Sequence, residues 1–387
     1  MARNFVIDLF CGAGGASLGF SKTGCKVVLG IDSEEIYKET YEQITNMDGS
    51  RPMFLSFDLS PCTPLTPGGQ LELAEKHIVD TLKSNEFCAS VDKLIFIVCA
   101  PCQPFSKLGR NVSLATRLQR EIDRGLLLGV IGTILKFEPD AIFSENVPGI
   151  RSVKNVEKSV NDEATILLSA AGYETSRATV NAMNFGIPQS RLRSISISIR
   201  RSNNFAFKVP TFDVLVARPV TVKEAIGHYP PLIAGECHAE IPNHNCRELS
   251  ALNLLRLSSV KPGEDNTVLA TTNYGDLSLE CHRSLQRRDG FRARGNFSDT
   301  YTRMDPEGVS PTITTNCISV SNGRFGHYDQ NQNRGISVRE AAALQSFPDS
   351  FKFFPLASLH PAATMVGNAV PPRLAEFFAR NIIQELN

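Results

Sequence analysis

Short apolar runs alternate with helical patterns over the first 200 residues. Each run is short enough for one strand buried on both faces, and a helical segment fits between most neighbouring runs. Strands are predicted at residues 4–9, 26–31, 53–57, 93–98 and 140–144, with two more near 173–180 and 193–199. Helices are predicted at residues 34–41, 71–83 and 117–137, with one more before the last two strands. This alternation predicts a parallel sheet covered by helices on both faces.

The alternation ends after Arg201. Residues 202–336 contain proline, glycine, asparagine and short strand-like pieces without a repeating order. Helical patterns return at residues 338–345 and at residues 372–386. We therefore predict two domains, one made of residues 1–201 and 345–387 and the other of residues 202–344.

Composition excludes several classes of protein. The 387 residues are 42% apolar and 21% charged, as in ordinary globular proteins. No apolar run reaches roughly 18 residues, and the first residues lack the apolar core of a signal peptide. Ten cysteines without regular spacing favour reduced thiols in a cytoplasm. Because 40 basic residues balance 40 acidic ones, any surface for nucleic acid must be local.

The candidate chemistry lies in the turn after the fourth strand, Val98-Cys99-Ala100-Pro101-Cys102-Gln103-Pro104-Phe105-Ser106. Ligands bind at the carboxyl edge of open α/β sheets, and the two prolines fix the backbone around Cys102. This placement suits a nucleophilic thiol. A cysteine that only fills the core is the alternative. A zinc site of four thiolates is disfavoured because the chain has no second C-x-x-C.

A nucleotide-type ligand is predicted at the first turn. Gly12, Gly14 and Gly15 follow the first strand, but Ser17 stands where the dinucleotide fingerprint needs its third glycine. Asp32 ends the second strand and could accept hydrogen bonds from both ribose hydroxyls. Asp58 ends the third strand and could accept one from an adenine amino group. A ligand with ribose and adenine but without pyrophosphate fits this set better than NAD does, and S-adenosylmethionine is such a ligand.

With these residues assembled, the chain resembles the DNA (cytosine-5) methyltransferases. The resemblance implies a Rossmann-like α/β methyltransferase fold with a mostly parallel sheet and a smaller, irregular or β-rich target-recognition domain. The matching blocks occur in the order typical of that family. They are Asp8-Leu-Phe-Cys-Gly-Ala-Gly-Gly15, Pro101-Cys102-Gln103-Pro-Phe-Ser106, Glu145-Asn146-Val147, Gln189-Ser-Arg191-Leu-Arg193, Arg339-Glu340-Ala-Ala-Ala-Leu-Gln345-Ser-Phe-Pro348 and Gly367-Asn368-Ala-Val370-Pro-Pro.

The same resemblance implies roles for residues at matching positions. Cys102 would be the nucleophile, and Glu145, Arg191 and Arg193 would hold the target cytosine, with Gln103 and Ser106 nearby. Thr312 would contact the DNA backbone. The S-adenosylmethionine pocket would be lined by Phe10, Gly12, Gly14, Asp32, Ser33, Asp58, Leu59, Pro101, Leu127, Asn368 and Val370.

The chemistry of cytosine explains why these residue types are needed. Carbon 5 is a poor nucleophile until a thiolate adds to carbon 6. A protonated carboxyl at Glu145 could donate to N3, and the arginines could stabilise the charge that develops near O2. The target base must leave its stack to reach them. The polar residues 107–124, with Gly109 and Gly125 as hinges, would close over the base as a lid.

A basic segment marks the predicted DNA surface. Between His282 and Arg303 six arginines stand against two aspartates, with Phe291, Phe297 and Tyr301 among them. This composition suits phosphate and groove contact, although a charge run is more often a solvated face. The arginines assigned to DNA are Arg287, Arg288, Arg292 and Arg294. Four further residues have a loose metal-ligand spacing that matches no standard zinc site, namely Cys237, His238, His244 and Cys246.

The resulting prediction is a site-specific DNA cytosine-5 methyltransferase, monomeric and cytoplasmic, of prokaryotic or phage origin. Double-stranded DNA would be its substrate, without a membrane partner, and a companion restriction endonuclease would fit this role. Two alternatives stay open, a tRNA cytosine-5 methyltransferase on the same scaffold and an inert DNA-binding subunit. The tRNA branch typically carries a Cys-Phe-Thr element, which this sequence lacks. A Rossmann dehydrogenase is a remote third alternative.

Overall fold

The computed structural model describes residues 2–100, 114–148, 160–200, 207–279 and 298–387. The chain divides into two compact units. Unit 1 comprises Met1–Phe185, Leu192–Val216 and Ala369–Asn387. Unit 2 comprises Gly186–Arg191 and Ala217–Asn368. Residues 345–368 thus belong to unit 2, whereas the sequence analysis grouped them with the catalytic domain; the functional assignment of the domains stays a prediction.

Among the described residues of unit 1, seven strands form one sheet in the order β3-β2-β1-β4-β5-β7-β6. The sheet is mostly parallel, as predicted, with β7 antiparallel to both of its neighbours. The connection from β6 to β7, residues 182–191, is too short for the helical crossover that a parallel pair needs. The strands are β1 Asn4–Leu9, β2 Cys25–Asp32, β3 Met53–Ser56, β4 Lys93–Val98, β5 Ala141–Asn146, β6 Tyr173–Asn181 and β7 Leu192–Arg200.

Helices cover both faces of this sheet. The helices of unit 1 are α1 Gly15–Ser21, α2 Lys38–Tyr41, α3 Leu71–Ser84, α4 Leu114–Leu135, α5 Val160–Ala170 and a C-terminal helix, Pro372–Leu386. On one face α1 packs so closely on the C-terminal helix that a Cβ at Gly19 would lie 2.4 Å from the carbonyl oxygen of Pro372. On the other face α3, α4 and α5 bury apolar side chains against the strands. The predicted lid segment overlaps α4, which begins at Leu114.

The described part of unit 2 is irregular rather than β-rich, and these were the two alternatives predicted for the smaller domain. Its helices are α6 Val222–Ile226, α7 Ala251–Ser258, α8 Val338–Leu344 and α9 Leu359–Asn368, so the C-terminal helix of unit 1 is α10. Extended segments of the described part meet only through isolated bridges, such as that between Arg303 and Gly326. A small core around Leu257, Leu269 and Val320 holds one part of the unit together. None of the helices in the described ranges is both long and apolar enough to cross a bilayer.

Candidate active site

The glycine-rich turn at the end of β1 is held by the neighbouring strand. Phe10, Gly12 and Gly14 all have positive φ angles, of 62°, 51° and 82°. The amide of Gly12 donates to Oδ2 of Asp32 over 2.9 Å. Among the described residues a Cβ on Gly12 would meet nothing within 4 Å, whereas one on Gly14 would lie 2.8 Å from the ring of Tyr41. Gly14 is therefore required for packing, and open space lies beside Gly12 for a ligand.

Asp32 holds the turn and keeps capacity for a ligand. Its Oδ2 accepts from Gly12 and its Oδ1 from the amide of Glu34, over 3.2 Å. Burial raises the pKa of the Asp32 carboxyl, and the amide hydrogen bonds oppose this effect. Each carboxylate oxygen can accept a second hydrogen bond, so contacts to ribose hydroxyls are compatible with this geometry. Ser33, which follows, is exposed.

The remaining predicted cofactor residues lie at different depths. Asp58 is exposed after β3, and the next residue, Leu59, is buried in the core. Leu127 on α4 is partly buried against that core. Val370 is buried in unit 1, while Asn368 is exposed at the end of α9 in unit 2. Pro101 lies outside the described residues.

A buried polar network behind the glycine-rich turn was missed by the sequence analysis. Ser17 donates from its hydroxyl to Oδ2 of Asp8 over 2.7 Å and lies 2.8 Å from the hydroxyl of Tyr41. Burial raises the pKa of Asp8 to about 7, and the nearby carboxylate of Asp32 adds to the shift. The only signal in the sequence was an aspartate inside the apolar run of β1.

Glu145 and Arg193 meet on one face of the sheet at the carboxyl end of β5. Glu145 is 8% exposed, and its Oε1 lies 2.8 Å from Nε of Arg193 on the antiparallel strand β7. The two groups form an ion pair, yet Oε1 has no aligned hydrogen-bond donor among the residues the structure describes. A buried carboxylate oxygen without a donor is costly, so this atom is a candidate acceptor for a ligand.

Asn146, the residue after Glu145, joins the end of β5 to the chain that follows β4. Asn146 donates from its amide to the carbonyl oxygen of Ala100 over 3.4 Å, and its own Oδ1 accepts from the amide of Val147. The tip of β5, with Glu145, is therefore tied to the residue that precedes Pro101. The predicted nucleophile Cys102 and the predicted DNA contacts Gln103 and Ser106 lie outside the described residues.

A small cavity of about 40 Å³ lies on the opposite face from Glu145. Alternate residues of a strand face opposite sides of a sheet, so Ser144 and Asn146 line this cavity and Glu145 does not. Apolar residues of β4, β5, α4 and α5, Arg177 of β6 and serines of β7 complete the lining. The volume suits water molecules rather than a pyrimidine ring, and the cavity is therefore not a base pocket.

Arg191 and Thr312 each bond to the chain segment that contains the other, within unit 2. The guanidinium of Arg191 is 2% exposed and donates to the carbonyl oxygens of Ile313, over 2.9 Å, and Gly367, over 3.2 Å. The hydroxyl of Thr312 donates to the carbonyl oxygen of Ser190 over 2.8 Å. The predicted contact of Arg191 with cytosine stays a prediction.

The basic segment is only partly within the described residues. Arg287, Arg288, Arg292 and Arg294 lie outside them. Arg303 and Tyr301, which the sequence analysis counted with the DNA surface, are buried, at 0% and 7% exposure. Burial lowers the pKa of Arg303 to about 10, and its donors face backbone carbonyls of unit 2. The sequence prediction was wrong for these two residues because a charge pattern carries no information on burial.

The cysteine and histidine cluster is held by ordinary polar contacts. His244 places its two ring nitrogens 2.9 Å from the hydroxyl of Ser337 and 2.8 Å from the carbonyl oxygen of Pro230. The thiol of Cys246 donates to the carbonyl oxygen of Ile233 over 3.0 Å. In the described part of the chain, no three histidine, cysteine or acidic side chains lie together as metal ligands.

Comparison with known proteins extends over nearly the whole chain. The model of the C-5 cytosine-specific DNA methylase family matches residues 5–53 and 72–384. The Type II methylase M.HgiDII of Herpetosiphon aurantiacus is 32% identical, over 97% of this chain and 94% of the relative. The Type II methyltransferase M1.HphI of Haemophilus parahaemolyticus is 30% identical, over 98% of this chain and 86% of the relative.

A solved structure supports the same fold. The crystal structure of a DNA modification methyltransferase encoded within an E. coli prophage aligns over 100% of both chains with a TM-score of 0.68. At 21% identity this likeness concerns the fold alone. The family match and the two near full-length relatives show common descent in addition to a common fold. The chain belongs to the C-5 cytosine-specific DNA methylase family.

Proposed function

We propose that the protein transfers a methyl group from S-adenosylmethionine to carbon 5 of a cytosine at specific sites in double-stranded DNA. The observation that carries this proposal is the buried pair of Glu145 and Arg193. It places a carboxylate oxygen without an aligned donor 2.8 Å from a guanidinium, at the strand end joined to Ala100. Cytosine offers the complementary atoms, an amino group at carbon 4 and acceptors at N3 and O2.

The residues at the ends of β1 and β2 fit the proposed cofactor. The open space beside Gly12 allows a ligand to approach the backbone, and Asp32 keeps acceptor capacity for ribose hydroxyls. The exposed carboxyl of Asp58 would accept from the adenine amino group. S-adenosylmethionine supplies an activated methyl group when bound. Phe10, Gly14, Ser33, Leu59, Leu127 and Val370 would complete the binding surface of unit 1, and a cofactor contact by Asn368 stays a prediction.

In the proposed mechanism the protein makes carbon 5 nucleophilic. The thiolate of Cys102 forms a bond to carbon 6 of the flipped-out cytosine, and the ring electrons move toward N3. Glu145 would accept from the 4-amino group and, when protonated, donate to N3. Arg193 would hold the Glu145 carboxyl in place and stabilise charge toward O2. After carbon 5 receives the methyl group it loses its proton to water or a small base, and Cys102 leaves from carbon 6.

The main test is direct. DNA from cells expressing the protein would be analysed by bisulfite sequencing, with a Cys102→Ser variant as the control. We expect 5-methylcytosine at one recurrent sequence with the active protein and none with the variant. Duplex DNA containing 5-fluorocytosine should also trap a covalent adduct. Methylation by the Cys102→Ser variant at an appreciable rate would refute the proposed nucleophile.

The alternative substrate is tRNA. Tritiated methyl transfer to duplex DNA and to tRNA, measured side by side, separates the two, and we expect incorporation into DNA. The proposal also includes a companion restriction endonuclease, for which the relatives named as Type II enzymes are the support. DNA methylated by this protein would then resist cleavage by that endonuclease.

A further inference from the structure

The carboxyl of Asp58 is held by one hydrogen bond from its own segment of chain. The residue is exposed, and its Oδ1 accepts from the amide of Ser60 over 2.9 Å. Hydrogen bonds weaken steeply as their angle departs from linearity. A carboxyl that selects an adenine amino group must therefore have its backbone fixed by another part of the protein.

Gln70 fixes this backbone on both sides of the residue. Its side-chain Oε1 accepts from the amide of Asp58 over 3.0 Å. Its own amide donates to the carbonyl oxygen of Asp58 over 2.7 Å. The next residue continues the contact, because the amide of Leu71 donates to the carbonyl oxygen of Ser60 over 3.3 Å. Asp58 is thereby joined to Gln70 through both of its backbone polar groups.

The start of α3 is a firm support for this contact. Gln70 is the residue before the helix, and its side chain makes no capping bond to the helix itself. The helix buries Leu71, Ala74 and Ile78 in the core of unit 1. Gly69 permits the close approach, since a Cβ there would lie 2.2 Å from the carbonyl oxygen of Ser60.

Apart from Ser60, whose amide donates to the carboxyl of Asp58, the residues between Asp58 and Gln70 bond among themselves. Thr63 and Thr66 bond to each other, with amide-to-carbonyl distances of 3.2 Å and 3.0 Å. Their hydroxyls also lie 2.8 Å apart. The loop between Asp58 and Gln70 is thus closed by its own hydrogen bonds. The position of Asp58 is set where this loop begins and ends, at the contact with Gln70.

We propose that Gln70 is a positioning residue that makes the cofactor site selective for adenine by holding Asp58 toward the amino group of the base. The inference rests on the proposed function, which assigns S-adenosylmethionine to this site. Gln70 itself does not touch the ligand. Loss of its acceptor leaves the backbone of Asp58 held to residue 70 only through the Asp58 carbonyl oxygen, which weakens the directional contact to the amino group more than it weakens the rest of the binding surface.

Two ligands that differ only in the base test this proposal. S-adenosylhomocysteine carries the amino group, and S-inosylhomocysteine has an oxygen in its place. Their dissociation constants would be measured by calorimetry on the full chain without DNA. We expect the unaltered protein to prefer the adenine ligand by roughly 10- to 100-fold, as for a hydrogen bond to a charged group. Gln70→Met should reduce this ratio by about three- to tenfold, chiefly through weaker binding of S-adenosylhomocysteine.

Matched variants separate positioning from a general structural role. Gln70→Glu retains an acceptor for the amide of Asp58 and should keep the ratio within about threefold of the unaltered protein's. Gln43→Ala removes another glutamine of unit 1, whose side chain donates to the carbonyl oxygen of Thr40, and should leave the ratio unchanged. Gln70→Ala also lacks the acceptor and provides the same test should the Met variant not fold.

The outcomes are distinct. An unchanged ratio in Gln70→Met or Gln70→Ala, including equal weakening of both ligands, overturns the inference. A full preference for adenine in Asp58→Ala overturns it as well, because Asp58 would then not contact the amino group. Methyl transfer to DNA is measured separately, so the proposed function can fail or survive independently of this result.

Discussion

Replacing Arg303 with methionine distinguishes a buried structural arginine from one that binds DNA. Methionine fills a similar volume but has no donor. In the structure the Arg303 guanidinium is fully buried and serves several acceptors. Its Nε donates to the carbonyl oxygen of Leu257, one terminal nitrogen donates to those of His327, Asp329 and Gln332, and the other donates to Oδ1 of Asn333.

The expected loss of stability follows from what each acceptor retains. The carbonyls of Leu257, Asp329 and Gln332 each also accept from a backbone amide, so they lose only a second donor. For the carbonyl of His327 and the partly exposed side-chain oxygen of Asn333, the described residues supply no other hydrogen bond. Leaving one buried acceptor without a donor costs about 1–3 kcal/mol, and the weaker losses add to it. We expect Arg303→Met to lower the free energy of unfolding by about 2–4 kcal/mol.

The assay combines chemical unfolding with the salt dependence of DNA binding. Unfolding would be followed by circular dichroism in urea, and affinity for duplex DNA would be measured at several salt concentrations. A phosphate contact contributes a slope of about −0.9 to the logarithmic salt dependence. Arg303→Met should leave this slope unchanged. Arg292→Met, in the predicted DNA surface, should reduce the magnitude of the slope by about 0.9, the contribution of one phosphate contact. Unaltered stability together with a reduced slope for Arg303→Met would refute the structural role.

Three further predictions concern other parts of the molecule. Glu145→Gln, which removes the charge that faces Arg193, should slow methyl transfer to DNA roughly 10²- to 10⁴-fold with little change in S-adenosylhomocysteine binding; transfer at the normal rate would contradict the assigned role. Burial lowers the pKa of His327 from 6.5 to about 4, so the unfolded chain binds the additional proton between these values, and the free energy of unfolding should fall by roughly 3 kcal/mol from pH 6.5 to pH 4. His327→Gln should remove that part of the pH dependence in urea unfolding, and an identical profile would exclude His327 as its source. Tyr41→Phe removes the hydroxyl beside Ser17 and should cost about 1 kcal/mol in the same assay, where unchanged stability would show that this hydrogen bond contributes nothing.

The strands of unit 1 were predictable because burial on both faces makes them continuous apolar runs. The predicted bounds of the first and fourth strands agree with Asn4–Leu9 and Lys93–Val98. The direction of β7 was not predictable from its residues. Serines and isoleucines alternate along it, which indicates a strand with two different faces but not the direction of its neighbours. Direction is set by the connection before it, and the second part of that connection, Gly186–Arg191, belongs to unit 2.

The candidate site was predictable where chemistry and chain position coincide. Asp32 and Glu145 each lie at the end of a strand, and a parallel sheet brings such ends to one edge. The contact of Gln70 with Asp58 was not predictable, because it depends on the conformation of the loop between the two residues. Neither the spacing of the two residues nor their types indicates that contact.

The irregular backbone of unit 2 explains why Arg303 was misjudged. Strands and helices satisfy their own carbonyl groups, but a buried chain without regular structure needs donors from side chains. Arginine offers five N–H donors and loses less on burial than a compact ammonium does. In this unit the arginines that donate to backbone carbonyls include Arg191, Arg256, Arg303, Arg324, Arg334 and Arg339.

A DNA-binding domain with an irregular backbone can therefore use arginine in two ways, as a donor to buried carbonyl groups or as a contact to phosphate. Counting arginines in a segment does not separate the two uses, because Arg303 was counted with the predicted DNA surface and is buried. The two kinds differ in their partners. A structural arginine such as Arg303 faces carbonyl groups, whereas those that bind phosphate must keep their donors at the surface. Only the second kind should alter the salt dependence of DNA binding when replaced, and the first kind should alter stability instead.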